Sequence, residues 1–157
     1  MLNYGDTICA PATSVGAGAI SIIRMSGPDA LHITDEVVRF SNGTAIGSKG
    51  YTLKFGRIPD VDEVLVSIFR APHSYTGEDS VEISCHASSF VVSRILELLI
   101  AAGARSAEPG EFTRRAFVNG KMDLAQAEAV ADLISAGSEA AHRVAVNQLR
   151  GKYSLEL

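Results

Sequence analysis

Two runs with a strand period, residues 51–58 and 63–69, flank Pro59, Asp60, Val61 and Asp62, and they constrain the fold more than any other feature. A four-residue loop between them predicts an antiparallel hairpin. In the second run Val64, Val66 and Ile68 alternate with Leu65, Ser67 and Phe69. Both faces therefore read as covered, and the strand as central in its sheet. Residues 19–25 are β-branched and read as a third, mostly buried strand. Residues 81–86 make a fourth, with Val81, Ile83 and Cys85 on one side and Glu82, Ser84 and His86 on the other. A short run at 7–13 belongs at a sheet margin or bend, because Pro11 cannot donate to a ladder.

Helical spacing sits between these strands. Pro28 suits the first turn of a helix presenting Ala30, Ile33, Val37 and Phe40 and ending before Asn42. Ser88 or Ser89 caps a second helix that runs to about Ala102, presents Phe90, Val91, Ile95, Leu98 and Leu99, and stops at Gly103. Asp123 and Gln126 form a capping box for a last, alanine-rich helical segment with a joint at Gly137. Gly16 and Gly18 mark a turn. The expected class is α+β, a mixed sheet flanked by helices.

The chain has 157 residues, which is room for one core and a helical extension. Its net charge of -4 argues against gripping nucleic acid by bulk electrostatics, while leaving room for a local basic patch. The longest apolar run, residues 95–104, is broken by Glu97, and residues 1–6 are polar, so neither a membrane span nor a signal peptide is expected. Cys9 and Cys85 fit no disulfide framework, and the Cys85–His86 pair offers too few ligands for a metal. They read as buried thiols in a reducing cytosol. No G-x-x-x-x-G-K-[ST] phosphate loop is present, so these residues alone are not expected to hydrolyse a nucleotide.

Two stretches carry chemistry. Residues 109–123 combine Arg114, Arg115 and Lys121 with Phe112 and Phe117, a mixture suited to an anionic, partly aromatic ligand. Residues 74–82 supply carboxylates, of which adjacent Glu78 and Asp79 read as turn and cap residues. Glu82, in mid-strand, either lies on a solvated face, pairs with an arginine, or accepts two parallel N–H donors from a heterocycle. Arg24 either pairs with a local carboxylate or clamps a ligand carboxylate or carbonyl. Arg114 and Arg115 either bridge to surface acids or face a ligand, and their divergence of about 100° lets only one do so. Phe69, Tyr75, Phe112 and Phe117 are candidates for stacking on a flat ring. No catalytic acid or nucleophile is evident.

Three blocks, taken together, carry a family resemblance. The first is Asp6, Thr7, Ile8 and Ala10 with Gly16, Gly18, Arg24, Ser26 and Gly27. The second runs from Ser74 through Glu82 to His86. The third runs from Pro109 through Lys121 and Asp123 to Ile134. The chain resembles, over essentially its whole length, the N-terminal part of the MnmE (TrmE) family of tRNA modification GTPases.

The resemblance implies an N-terminal folate-binding and dimerisation domain over residues 1–120, similar to that of aminomethyltransferases. Residues 121–157 would then begin a helical domain. It implies a tetrahydrofolate cofactor, such as the 5-formyl form, held by Arg24, Glu82 and Lys121. It also implies a homodimer that works with the flavoprotein MnmG on carbon 5 of the wobble uridine of certain tRNAs in the cytoplasm. GTP, magnesium and potassium would belong to a GTPase domain outside these residues. An alternative is a structural dimerisation module that no longer binds folate. This sequence departs from the family at residues 14–19, where the usual run is Pro-Pro-Gly-Arg-Gly-Gly. It departs again at Ala87 and Ser88, where glycines are usual.

Overall fold

A computed structural model describes residues 5–14 and 18–135. Seven strands and four helices occur among them: β1 (Ile8–Pro11), β2 (Ile20–Ser26), α1 (Ala30–Val37), β3 (Arg39–Phe40), β4 (Thr52–Ile58), β5 (Asp62–Phe69), β6 (Ser80–His86), α2 (Ser89–Ala101), β7 (Arg105–Ser106), α3 (Glu111–Val118) and α4 (Leu124–Ser135). The sheet order is β3-β4-β5-β6-β2-β1-β7. Every pairing is antiparallel except β1 with β7, so the sheet is mixed and the class is α+β as expected.

The core lies on one side of the sheet. Ile23, Met25, Val64, Val66, Ile68, Val81 and Ile83 point there and are buried against α1 and α2. Burying a branched aliphatic side chain stabilises by about 1.5–3 kcal/mol, so this layer holds most of the fold's stability. The opposite side is open. Leu53 and Ile20 are each 63% exposed, Phe55 54% and Leu65 42%. The expectation that β5 is covered on both faces is therefore corrected: it is central but alternates between a buried and an open face, whereas β2 is mostly buried, as expected, with Ile20 open at its start. Among the described residues α1 and α2 cover one side, and on the other α3 reaches only the Arg24 end, where the Phe112 ring lies 5.6 Å from the guanidinium.

Local departures have local causes. The hairpin loop is three residues, because Ile58 pairs with Asp62 and Asp60 takes a left-handed conformation (φ 63°). Phe40 is not helical. The helix stops at Val37, and Phe40 pairs with Gly56, where Val38 Cγ1 at 2.5 Å and the Phe40 ring at 3.0 Å fill the space a Cβ would occupy. Pro28 precedes α1, whose N-cap position is Asp29; the Thr7 hydroxyl accepts from the Asp29 N–H at 2.9 Å. In α2 the buried residues are Val92, Ile95 and Leu99, whereas Phe90 is 67% exposed. Ser88 caps this helix, accepting from the Val91 N–H. Of the two serines read as possible caps, Ser88 thus supplies the acceptor to the helix start. Pro11 lies past the point where β7 ends, so its missing N–H leaves no ladder bond unmade.

The Gly16 turn and the Gly137 joint lie outside the described residues. Asp123 and Gln126 bond reciprocally at 2.7 and 2.9 Å, the expected capping box. Among the described residues no helix is long and apolar enough to cross a membrane.

Candidate functional site

Residues 109–123 form a helix and its flanks. α3 follows Gly110, whose positive φ of 75° turns the chain into it. Glu111 and Arg115, one turn apart, bury the inner face of α3, at 1% and 0% exposure. The Arg115 guanidinium donates to Asp6 Oδ1 at 2.7 Å, to both Glu78 oxygens at 3.1 and 3.2 Å, and to Glu111 Oε2 at 3.3 Å. Arg105 joins the cluster, donating to Glu111 at 2.6 and 3.1 Å and to Asp6 at 2.7 Å. Two cations and three carboxylates thus pin α3 to the β1 entry and to the loop before β6. Arg115 is structural. Arg114 is half-exposed and reaches Glu108 at 3.4 Å. Asp79 is the turn group expected, accepting from the Ala71 N–H at 2.8 Å, but Glu78 is not: its carboxylate joins the Arg115 cluster and accepts from the Ser26 hydroxyl at 2.8 Å.

Burial alone would raise the Glu111 carboxyl, but the Arg105 hydrogen bonds and the Glu108 N–H outweigh it and hold it at about 2, below its ordinary 4.5. The Arg105 hydrogen bond likewise lowers Asp6. A carboxyl depressed on folding adds stability that is complete above the unfolded value and is lost as pH falls through the folded one. Unfolding free energy should therefore hold steady above about pH 5 and decline from about 4.5 towards 2. Urea titrations across that range should show the decline in the wild type and a shallower one in Glu111→Gln.

Arg24 and Glu82 face each other across β2 and β6 on the open side of the sheet, in direct register. The Arg24 Nε donates to Glu82 Oε2 at 3.1 Å, and its Nη2 lies 3.0 Å from the same oxygen. Both side chains keep about a quarter of their surface in solvent, 26% and 27%. The guanidinium also lies 4.9 Å from the Tyr75 ring centroid and 5.6 Å from that of Phe112. It lines a cleft of about 700 Å³ between the end of β1 and the start of α3, together with Ala10, Pro11, Tyr75, Pro109 and Phe112.

Lys121 owes its place to the end of α3. Gly120, at φ 74°, lets the Lys121 N–H reach the Ala116 carbonyl at 2.8 Å while its own N–H reaches Phe117 at 3.1 Å, a Schellman ending. The Asn119 amide donates to the Thr76 carbonyl at 2.7 Å and ties this end to the loop before β6. Gly77, at φ 83°, lets this end sit close to the loop, since a Cβ there would stand 3.1 Å from Asn119 Cβ. The lysine lines a depression of about 300 Å³ with Tyr51, Phe69, His73 and Tyr75.

Arg24 and Glu82 are thus in contact, and Lys121 borders the next recess, with Tyr75 lining both. Of the four stacking candidates, Tyr75 and Phe112 bracket Arg24, Phe69 lies beside Lys121, and Phe117 lines neither recess. Sequence reasoning missed Thr113, whose Oγ1 is 2.8 Å from the Tyr75 hydroxyl. Its only signal was its place one residue past Phe112. Cys9 and Cys85 are buried free thiols, as expected, and burial pushes each up to about 11. No cluster of three or more His, Cys, Asp or Glu able to hold a metal occurs among the described residues.

The family described as "GTP-binding protein TrmE N-terminus" matches residues 7–121, a span that contains Arg24, Glu82 and Lys121. The chain belongs to this TrmE family. It is 58% identical over 158 residues to the tRNA modification GTPase MnmE of Bacteroides thetaiotaomicron, covering 97% of this chain and 34% of that protein. The MnmE of Flavobacterium psychrophilum is 52% identical over 159 residues, with 98% of this chain and 34% of that protein covered. That of Phocaeicola vulgatus is 46% identical over 195 residues, with 100% and 39% covered. The chain spans about a third of the length of the curated TrmE relatives it matches.

Proposed function

We propose that the chain is the tetrahydrofolate-binding and dimerising module of a tRNA modification GTPase, with residues 1–120 as the module and 121–157 as the start of a helical domain. The observation that carries the reading is the Arg24–Glu82 pair, about a quarter exposed, whose arginine lines an aromatic-flanked cleft. Glu82 uses only Oε2 towards Arg24 among its described hydrogen bonds, which leaves Oε1 to accept an N–H donor. A pterin offers an amino group beside a ring N–H, which a carboxylate accepts as parallel bonds. Arg24 and Lys121 supply positive charge for the carbonyl and carboxylate oxygens of a 5-formyltetrahydrofolate. Tyr75, Phe112 and Phe69 supply rings for its flat parts.

In the whole protein this module would serve, with the flavoprotein MnmG, the modification of carbon 5 of the wobble uridine of certain tRNAs in the cytoplasm. GTP, magnesium and potassium would be bound elsewhere in that protein. The fold would be that of the folate-binding domain of aminomethyltransferases.

Calorimetric titration with 5-formyltetrahydrofolate tests the reading. The expected result is saturable binding, with Glu82→Gln weakening it by about 1.5–3 kcal/mol, the range for hydrogen bonds to a charged group. Equal affinity for the two proteins would remove Glu82 from the site. A second reading, a dimerisation module without folate, is favoured by the open apolar strip of Ile20, Leu53, Phe55 and Leu65. Light scattering would then show a dimer whose mass and affinity ignore the ligand.

A further inference from the structure

We infer that Tyr75 is the residue that positions Arg24 in the ligand site, acting through its ring and held in turn by Thr113. The inference rests on the reading that Arg24 and Glu82 meet the ligand. A partly exposed arginine on a sheet face has many rotamers, and bonds to a single carboxylate oxygen fix its angle less than a two-oxygen fork would. Here two rings confine it, Tyr75 at 4.9 Å and Phe112 at 5.6 Å. Cation–π attraction favours that confinement, most where solvent is partly excluded.

Tyr75 itself is 38% exposed, so core packing does not account for its position. Its hydroxyl meets Thr113 Oγ1 at 2.8 Å, which ties the ring to α3 across the cleft. The same ring borders both recesses, the one holding Arg24 and the one holding Lys121. Tyr75 therefore sets the angle at which Arg24 meets a ligand and divides the two compartments along which an elongated anion would lie.

A double-mutant cycle tests this on the whole chain, with 5-formyltetrahydrofolate as the probe. Tyr75→Leu should weaken binding roughly three- to tenfold, the strength of a partly desolvated cation–π contact. The loss should be clearly smaller when Arg24→Met is already present, or Arg24→Lys if the methionine variant does not titrate, any remainder being the contact of the Tyr75 ring with the ligand itself. An equal loss in both backgrounds would overturn the inference. Nitrogen-15 NMR supplies a readout that needs no ligand. The Arg24 Nε–H resonance should be ring-shifted in the wild type and in Tyr75→Phe, and in Tyr75→Leu should lose the Tyr75 ring contribution while keeping the shift due to its bond to Glu82 and to Phe112. An unmoved resonance in folded Tyr75→Leu would overturn the positioning role. Failure of the wild type to bind folate would instead remove the folate reading and leave the NMR comparison to decide the role of Tyr75.

Discussion

Arg115→Ala is expected to lower the unfolding free energy by about 3–5 kcal/mol, the loss seen when one member of a buried ion cluster is removed. The side chain is fully buried, and three carboxylates converge on it. Removing it leaves Glu111, itself 2% exposed, with Arg105 as its remaining guanidinium within 3.5 Å, and leaves Glu78 without its 3.1 Å partner. Uncompensated buried carboxylates must then rehydrate or protonate, and either route costs free energy. Arg114→Ala is the control. That side chain is 48% exposed and its bridge to Glu108 spans 3.4 Å, so its removal should cost no more than about 1 kcal/mol. Urea unfolding of the two variants measures the difference. Similar midpoints would show that the Arg115 cluster is solvated.

Gly27→Ala is expected to cost about 3 kcal/mol or more by a different route. Gly27 has φ 143°, and a Cβ there would stand 2.5 Å from the Thr7 Cα and 2.7 Å from the Asp6 carbonyl oxygen. Those are backbone atoms of the segment that Arg115 grips, so neither can swing aside. Backbone strain of about 1–3 kcal/mol adds to a comparable overpacking term. Gly110→Ala separates the two, because Gly110 shares the positive φ but has nothing within 4 Å of its would-be Cβ. It should cost about 1 kcal/mol. Thermal unfolding that found Gly27→Ala no worse than Gly110→Ala would rule out the close approach.

The strands and helices were legible where a period is long. β6 reads directly from Val81, Ile83 and Cys85, and the capping box at Asp123 from two polar residues at the right spacing. What the sequence hid is which sheet face stays open. Leu65 reads as a covered residue because hydrophobicity does not say whether a second layer exists. Phe40 has helical spacing, yet a bare glycine at position 56 drew it into a strand pair. At the site, Arg24 and Glu82 were each legible as needing a partner. Their direct pairing follows from register, which links residues 58 positions apart and which strand patterns alone do not fix. Arg115 was harder, since its three acids come from three separate segments.

The sheet's outermost strands, β3 and β7, have two residues each. β7 pairs with two of β1's four residues and β3 with Gly56 and Arg57 of β4, so the outer edge left for another strand to extend is the short run Thr52–Phe55. A second copy that avoided that run would meet the open face, where contact is made by side chains and can stop at a defined stoichiometry.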